Sequence, residues 1–189
     1  REDKTMARPR EFDTSTAIGG AMAIFWRQGY KATNLPDLLR AMGLTRGSFY
    51  KAFADKEAVY FQTLLRYDTE VVSTTLAMLK ACDAPLATTC LMPLFTPSGK
   101  ADMGCFICNA MVEVAPDNPK VAQKTQEMAD RLKEGILGVL EVRDVGTSPT
   151  HRADLAEMIL HLYFGFQAMG KSGRAQDDWE ARIRRLLGE

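Results

Sequence analysis

The chain has 189 residues, 46% of them hydrophobic, enough to bury a real core in one ordinary domain or two small ones and too apolar for a disordered tail. Formal charge is zero, which argues against a protein that coats nucleic acid, yet residues 6–56 hold eight Lys/Arg against four Asp/Glu while residues 57–189 hold fourteen against eighteen. Neither an apolar run of membrane-spanning length nor a secretory leader follows the polar start REDKTMARPREF, so a cytoplasmic protein is expected; Met6 reads as a natural start, and residues 1–5 are set aside from fold reasoning.

Helix signals dominate the chain. Asp13 or Thr14 can cap a first helix whose Ile18, Ala21, Met22 and Phe25 form an i, i+3, i+4, i+7 stripe that stops at Gly29. Asn34 precedes a second, short helix with Leu35, Leu38, Leu39 and Met42, opened by Pro36 in its first turn and closed by Gly43. Thr45 then caps a third helix reaching about Phe53. Asp55 caps a fourth that starts at Lys56 and keeps an apolar face without an internal breaker to about Lys80, roughly 35 Å at about 1.5 Å per residue. Shorter helices are expected after Pro85, ending before a turn at 96–99, and over about 104–115. Long ones follow over 119–142 and about 150–171, and a last one over 175–187. The reading is all-α, about nine helices, with a three-helix head at 6–55 and a body at 56–189.

Two helices of about nine residues joined at Gly43 have helix-turn-helix proportions, in which the second helix enters the major groove. That accounts for GLTRGSFYKAF at 43–53. Leu44, Phe49 and Phe53 pack backward, while Arg46 is suited to guanine O6/N7 and Thr45 or Ser48 to bases or phosphates. Gly47 gives up about 1 kcal/mol of helix propensity and allows close approach of the backbone. Tyr50, Lys51 and Lys56 suit phosphates, and Arg8 and Arg10 suit an adjacent minor groove. Double-stranded operator DNA is the expected macromolecular partner.

The stretch AIGGAMAIFWRQGYKATNLPDLLRAMGLTRGSFYKAFADKEAVY at 17–60 resembles the DNA-binding domain of TetR-family transcriptional repressors. The resemblance lies in GY-x-A-T, in the turn through Gly43 and Thr45, and in G-S-F-Y-x-x-F followed by D-K-E. The segment GCFICNAMVEVAPDNPKV at 104–121 resembles the start of the regulatory domain in an AcrR-like subgroup. The resemblance implies an all-α homodimer with a three-helix head and a six-helix ligand-binding body. It also implies DNA contacts at Arg46, Gly47, Ser48, Tyr50 and Lys56 and a phosphate contact at Thr33.

In the body, Phe61, Leu64, Leu65, Met92, Phe95, Cys105, Asn109 and Val112 form the candidate pocket for an unidentified small-molecule inducer, with Cys105, Asn109 and Val112 sharing a helix face. Glu113 reads as either a cation ligand or a solvent-facing charge. Cys105 and Cys108 make a C-x-x-C at a helix start, where a thiolate is stabilised, so a thiol- or electrophile-sensing repressor is an alternative reading. Zinc has little support, because His151 and His161 are distant and no second C-x-x-C exists, and disulfides among Cys82, Cys90, Cys105 and Cys108 are not expected. Leu155, Ile159, Leu162, Tyr163 and Phe166 with Trp179, Ile183 and Leu187 are the candidate dimer interface. Neither a P-loop, G-x-S-x-G nor H-E-x-x-H occurs, so no catalytic residue, cofactor or metal is assigned, and a helical carrier or enzyme is the reading from another class. The expected function is a repressor released from its operator when a small molecule binds the body.

Overall fold

A computed structural model describes residues 13–96, 103–173 and 178–189. Arg8, Arg10 and most of the turn expected at 96–99 lie outside the described residues. Among those described, every regular element is helical: α1 (Thr14–Gln28), α2 (Leu35–Met42), α3 (Arg46–Ala52), α4 (Lys56–Tyr67), α5 (Ser73–Ala81), α6 (Ala87–Leu91), α7 (Phe106–Glu113), α8 (Pro119–Val142), α9 (Pro149–Lys171) and α10 (Trp179–Leu187). The all-α expectation holds, and its nine helices match these ten once α4 and α5 are counted as one rod.

The first four helices begin where short polar side chains satisfy their free N–H groups. Asp13 accepts from Ser15 and Thr16, Asn34 from Asp37, Thr45 from Ser48, and Asp55 from Ala58. Gly43, at φ 66°, ends α2 in the left-handed conformation that glycine adopts without penalty. Helices α1 and α2 meet backbone to backbone at Gly20, where a Cβ would stand 1.9 Å from the Ala41 carbonyl oxygen. Ala17, Ile18, Ala21, Ile24 and Phe25 of α1 close over Leu38, Met42, Phe49 and Val59, and this small core sets the angle at which α3 leaves the head.

The rod from Lys56 to Ala81 departs from the unbroken α-helix expected of it. Asp68–Val72 is a π turn between α4 and α5. It is held from the opposite side by α8: Lys124 Nζ is 2.7 Å from Asp68 Oδ2, Arg131 bonds Asp68 Oδ1, and Arg131 also donates to Ser73 Oγ at 3.1 Å. Bonds from Thr69, Thr74 and Thr75 hydroxyls to the carbonyls of Leu65, Glu70 and Val71 draw further on the ladder at this point.

Helix α8 is the central beam of the body, packed on α5, α7 and α9, with Met128, Leu132, Ile136 and Leu140 buried along it. At the far end the Glu189 carboxylate accepts from Ala87 N, Thr88 N and Thr88 Oγ1, tying the end of the chain to the start of α6.

Two expectations are corrected here. Cys82 and Cys90 are joined in a disulfide: Cys82 caps α5, Cys90 lies on α6, and their Cα atoms stand 5.6 Å apart, within the span a bridge requires. Of the candidate interface, Leu155, Ile159, Phe166 and Ile183 are buried inside the protomer, because the widest apolar stripe of each helix is consumed by its own core. Leu162, Tyr163, Trp179 and Leu187 are only partly covered. What α9 leaves outside is a second line, Met158, Leu162, Gly165 and Met169, spaced as one helix face, with Met158 50% and Met169 40% exposed.

Candidate nucleic-acid interface

The α2–α3 hairpin turns through Gly43 and Leu44, whose N–H groups bond the carbonyls of Arg40 and Leu39 at 3.2 and 2.9 Å. Phe49 is fully buried against Phe53 and Tyr50, so α3 is pinned by one side and presents the other. On the free side Arg46 and Lys51 are exposed and form no ion pair among the described residues, and Tyr50 is 52% exposed. A Cβ on Gly47 would meet nothing within 4 Å, so nothing in the fold itself requires glycine there.

The two hydroxyls of this face are partly committed. Thr45 Oγ1 accepts from Ser48 N at 3.1 Å as the helix cap and donates to Ser48 Oγ at 3.0 Å, which leaves the Ser48 hydroxyl proton for an external acceptor. Lys56 sits with Nζ 4.3 Å from the Tyr30 ring centroid, and burial there lowers its pKa. Thr33 is corrected: it is fully buried, its hydroxyl donates to Gly29 O at 2.6 Å and accepts from Gln28 Nε2 at 3.2 Å, so its side chain holds the α1–α2 turn and does not face a phosphate.

That same turn is gripped from the body. Glu113, on the last turn of α7, accepts from Tyr30 N at Oε2 (2.9 Å) and from Lys31 N at Oε1 (2.7 Å). A Cβ on Gly29, whose φ is 90°, would stand 2.9 Å from the same carboxylate. Nearby, Trp26 Nε1 donates to Gly104 O at 2.9 Å and Lys31 pairs with Asp117 at 3.6 Å. Behind these bonds Tyr30, Tyr60 and Phe106 form a chain of ring contacts, with centroids 4.8 and 5.7 Å apart, that runs from head to body. Glu113 is therefore neither a cation ligand nor a solvent-facing charge. Sequence reading missed this role because its partners are backbone groups more than eighty residues away.

Residues 17–63 match the family model for bacterial regulatory proteins of the tetR family, the segment that builds this head. The chain is similar to the HTH-type transcriptional repressor ComR of Escherichia coli, at 29% identity over 90% of this chain and 84% of that one. It is also similar to the uncharacterised HTH-type transcriptional regulator YezE of Bacillus subtilis, at 24% identity over 83% and 84%. In fold it is similar to the TetR-family regulator CifR, solved as a cysteine mutant with 26-base-pair operator DNA, at a TM-score of 0.80 and 23% identity over 96% and 98%.

The head is that of the tetR family. The chain's relatives are transcriptional regulators, and it is a DNA-binding transcriptional regulator.

In this regulator the eight residues expected to line one pocket do not converge. Leu64 is fully buried core, and Phe95 is buried in a stack on Trp179 with centroids 5.1 Å apart. Phe61 lies under Lys120, Met92 is partly buried, and Leu65 faces outward beside Thr14 and Gln62. Only Cys105, Asn109 and Val112 share a depression, about 260 Å³, with Cys108, Glu113 and Lys171. Val112 stands at its edge, 81% exposed. Asn109 is fixed there by a bond to Met103 O at 3.0 Å and one from Lys171 Nζ at 3.3 Å.

Cys105 and Cys108 are free thiols. The hydrogen bond from Cys108 outweighs burial and lowers the Cys105 thiol to about 7, while the same bond, with burial, pushes Cys108 well up. A larger cavity, about 450 Å³, opens between α5 and α8 and is bounded by Leu76, Leu79, Val139 and the Cys82–Cys90 bridge. No group of three or more His, Cys, Asp or Glu among the described residues is arranged to hold a metal ion, and no described helix is long and apolar enough to cross a membrane.

Proposed function

We propose that this regulator is a homodimeric repressor, with residues 6–55 as the DNA-binding head and 56–189 as the ligand-binding and dimerisation body, whose grip on its operator is set by Glu113. The observation that carries this reading is the pair of bonds from Tyr30 and Lys31 to one carboxylate of the body. They hold the turn that leads into the reading hairpin, so a displacement of α7 moves the head.

Arg46 reads bases, the Ser48 hydroxyl and Gly47 backbone sit close to the groove, and Tyr50, Lys51 and Lys56 meet phosphates. The line Met158, Leu162, Gly165 and Met169 faces a two-fold mate and places two copies of α3 at successive major grooves, about 34 Å apart. An inducer seated in the depression by Cys105, Asn109 and Val112 touches Glu113 directly, which couples occupancy to head position. The operator complex of CifR, a protein of the same fold, supports this arrangement. The alternative, sensing through Cys105 and Cys108, draws less support because Cys105 is only 2% exposed.

Selection of bound fragments from genomic DNA, followed by anisotropy titration of the enriched sequence, tests the reading. A two-fold site whose affinity falls steeply with salt is expected. Failure to enrich any sequence overturns it, and unchanged operator affinity after complete modification of Cys105 and Cys108 removes the thiol alternative.

A further inference from the structure

We propose that the cavity between α5 and α8 is a thiol–disulfide exchange site, where a small anionic thiol docks and reduces the Cys82–Cys90 disulfide. Three independent features meet there. Its volume of about 450 Å³ lies within the range of small-molecule sites, and its walls are largely the apolar side chains Leu76, Leu79, Val139 and Val142. The bridge itself is part of the lining, with Cys90 buried and Cys82 half-buried, so the sulfur that a molecule in the cavity reaches is Cys82 Sγ. The third feature is charge.

Lys80 is exposed at the cavity and has no carboxylate partner among the described residues. Arg143 spends its donors on neutral carbonyls, Ala84 O at 2.6 Å and Cys82 O at 2.8 Å, so its charge is not cancelled. Arg131 shares the Asp68 carboxylate with Lys124, and Glu134 is the single acid in the lining. The field therefore favours an anion.

The position of Arg143 decides the direction of the chemistry. Its Nη2 lies 3.8 Å from Cys90 Sγ, and a cation beside a sulfur stabilises the departing thiolate. A thiolate RS⁻ attacks Cys82 Sγ, the S–S bond breaks, and Cys90 leaves as a thiolate beside Arg143. A second RS⁻ attacks the outer sulfur of the mixed disulfide, releasing RSSR and the Cys82 thiolate, and solvent supplies the two protons. The small thiol is the reductant, and two molecules are oxidised per bridge. Exchange frees the end of α5 from α6.

Gly138 supplies the means of testing this. A glycine inside a long helix costs about 1 kcal/mol relative to alanine. Gly135, one turn earlier, is explained by Leu76, whose Cδ2 would lie 2.5 Å from a Cβ. Gly138 has no such neighbour: its Cβ would meet nothing within 4 Å, and the missing side chain keeps the cavity clear.

The full chain in its disulfide form is exposed to 3-mercaptopropionate, 2-mercaptoethanol and cysteamine. Each rate is divided by that of the same thiol against a small-molecule disulfide. Differential alkylation and mass spectrometry count Cys82 and Cys90 separately from Cys105 and Cys108. The anionic thiol is expected to react at least about fivefold faster than the cationic one, as one charge–charge contact in water implies. That ratio should collapse at about 0.5 M salt and shrink in Lys80→Gln. Gly138→Trp should slow all three thiols about tenfold by occupying the space, at an unchanged melting temperature. Equal normalised rates for the three thiols overturn the proposal, as does a folded Gly138→Trp protein that reacts like the parent. Should that variant not fold, the charge series and Lys80→Gln decide alone.

Discussion

The backbone N–H of Tyr30 donates to Glu113 Oε2 at 2.9 Å across 83 residues of sequence, and with the neighbouring bond from Lys31 it makes one carboxylate the clasp between head and body. Replacing Glu113 by Ala leaves two N–H groups without that acceptor, at about 1–3 kcal/mol each where water cannot take over. The melting temperature should fall, and operator affinity should fall more than global stability alone explains. Gly29→Ala crowds the same carboxylate, so the two substitutions should be non-additive in a double-mutant cycle. Operator affinity in Glu113→Ala equal to that of the parent would show that the clasp is only structural.

Removal of the Arg46 guanidinium should cost about 1–3 kcal/mol of operator binding and relax preference at one base pair. Lys51→Ala should instead weaken all sequences alike and reduce the slope of log affinity against log salt by about one. Gly47→Trp should abolish specific binding without lowering the melting temperature, since no atom stands within 4 Å of its Cβ. Selection of bound sequences by each variant separates the three outcomes.

Thr33→Val keeps the shape of a buried side chain but leaves Gly29 O without its hydroxyl donor, a loss of about 1–2 kcal/mol. Chemical denaturation should register it. The salt slope of operator binding should not change, because that hydroxyl never reaches a phosphate.

On α9, adjacent residues should behave oppositely. Met158→Asp, on the exposed line, should split the dimer in sedimentation with little change in protomer stability. Ile159→Ala, fully buried, should cost about 2–5 kcal/mol and leave the association state of the folded fraction intact.

Glu189 gives a pH signature. Burial alone would raise its pKa, but the bonds from Thr88 and Ala87 prevail and hold it below the usual 4.5. A carboxylate depressed in the folded state stabilises fully above its unfolded value, and that stabilisation is lost as pH falls through the folded value. The contribution is a few tenths to about 1 kcal/mol, because the group is largely screened by solvent. The melting temperature of Glu189→Gln should lie below the parent's near neutral pH and converge with it only once the pH has fallen below the depressed folded-state pKa.

The head was legible in the sequence because everything that defines it is local. Asp13, Asn34, Thr45 and Asp55 each cap a helix that begins at the next residue, and Gly43 fixes the turn between α2 and α3. Thr33 misled because its phosphate contact was carried over from a resemblance, which says nothing of side-chain direction, whereas a threonine four residues after Gly29 can bond back to it. Glu113 was not legible at all, since backbone N–H groups leave no trace in residue identity. The residues expected at a dimer face lie inside for an energetic reason: the largest apolar residues of α9 go to the chain's own core, and Met158 and Met169 are left exposed. The Cys82–Cys90 bridge was missed because a cytoplasmic chain was expected, where disulfides are rare, whereas helix ends brought into contact decided it.

The π turn at Asp68–Val72 has a rotational consequence. Each residue added to or removed from a helix turns everything beyond it by about 100° about the axis. The extra residue accommodated between Tyr67 and Ser73 thus sets the azimuth of the head relative to the body, and the salt bridges of Asp68 with Lys124 and Arg131 lock that setting. Deleting one residue there would leave both ends of the rod helical while turning the reading helix away from the DNA its mate has already engaged.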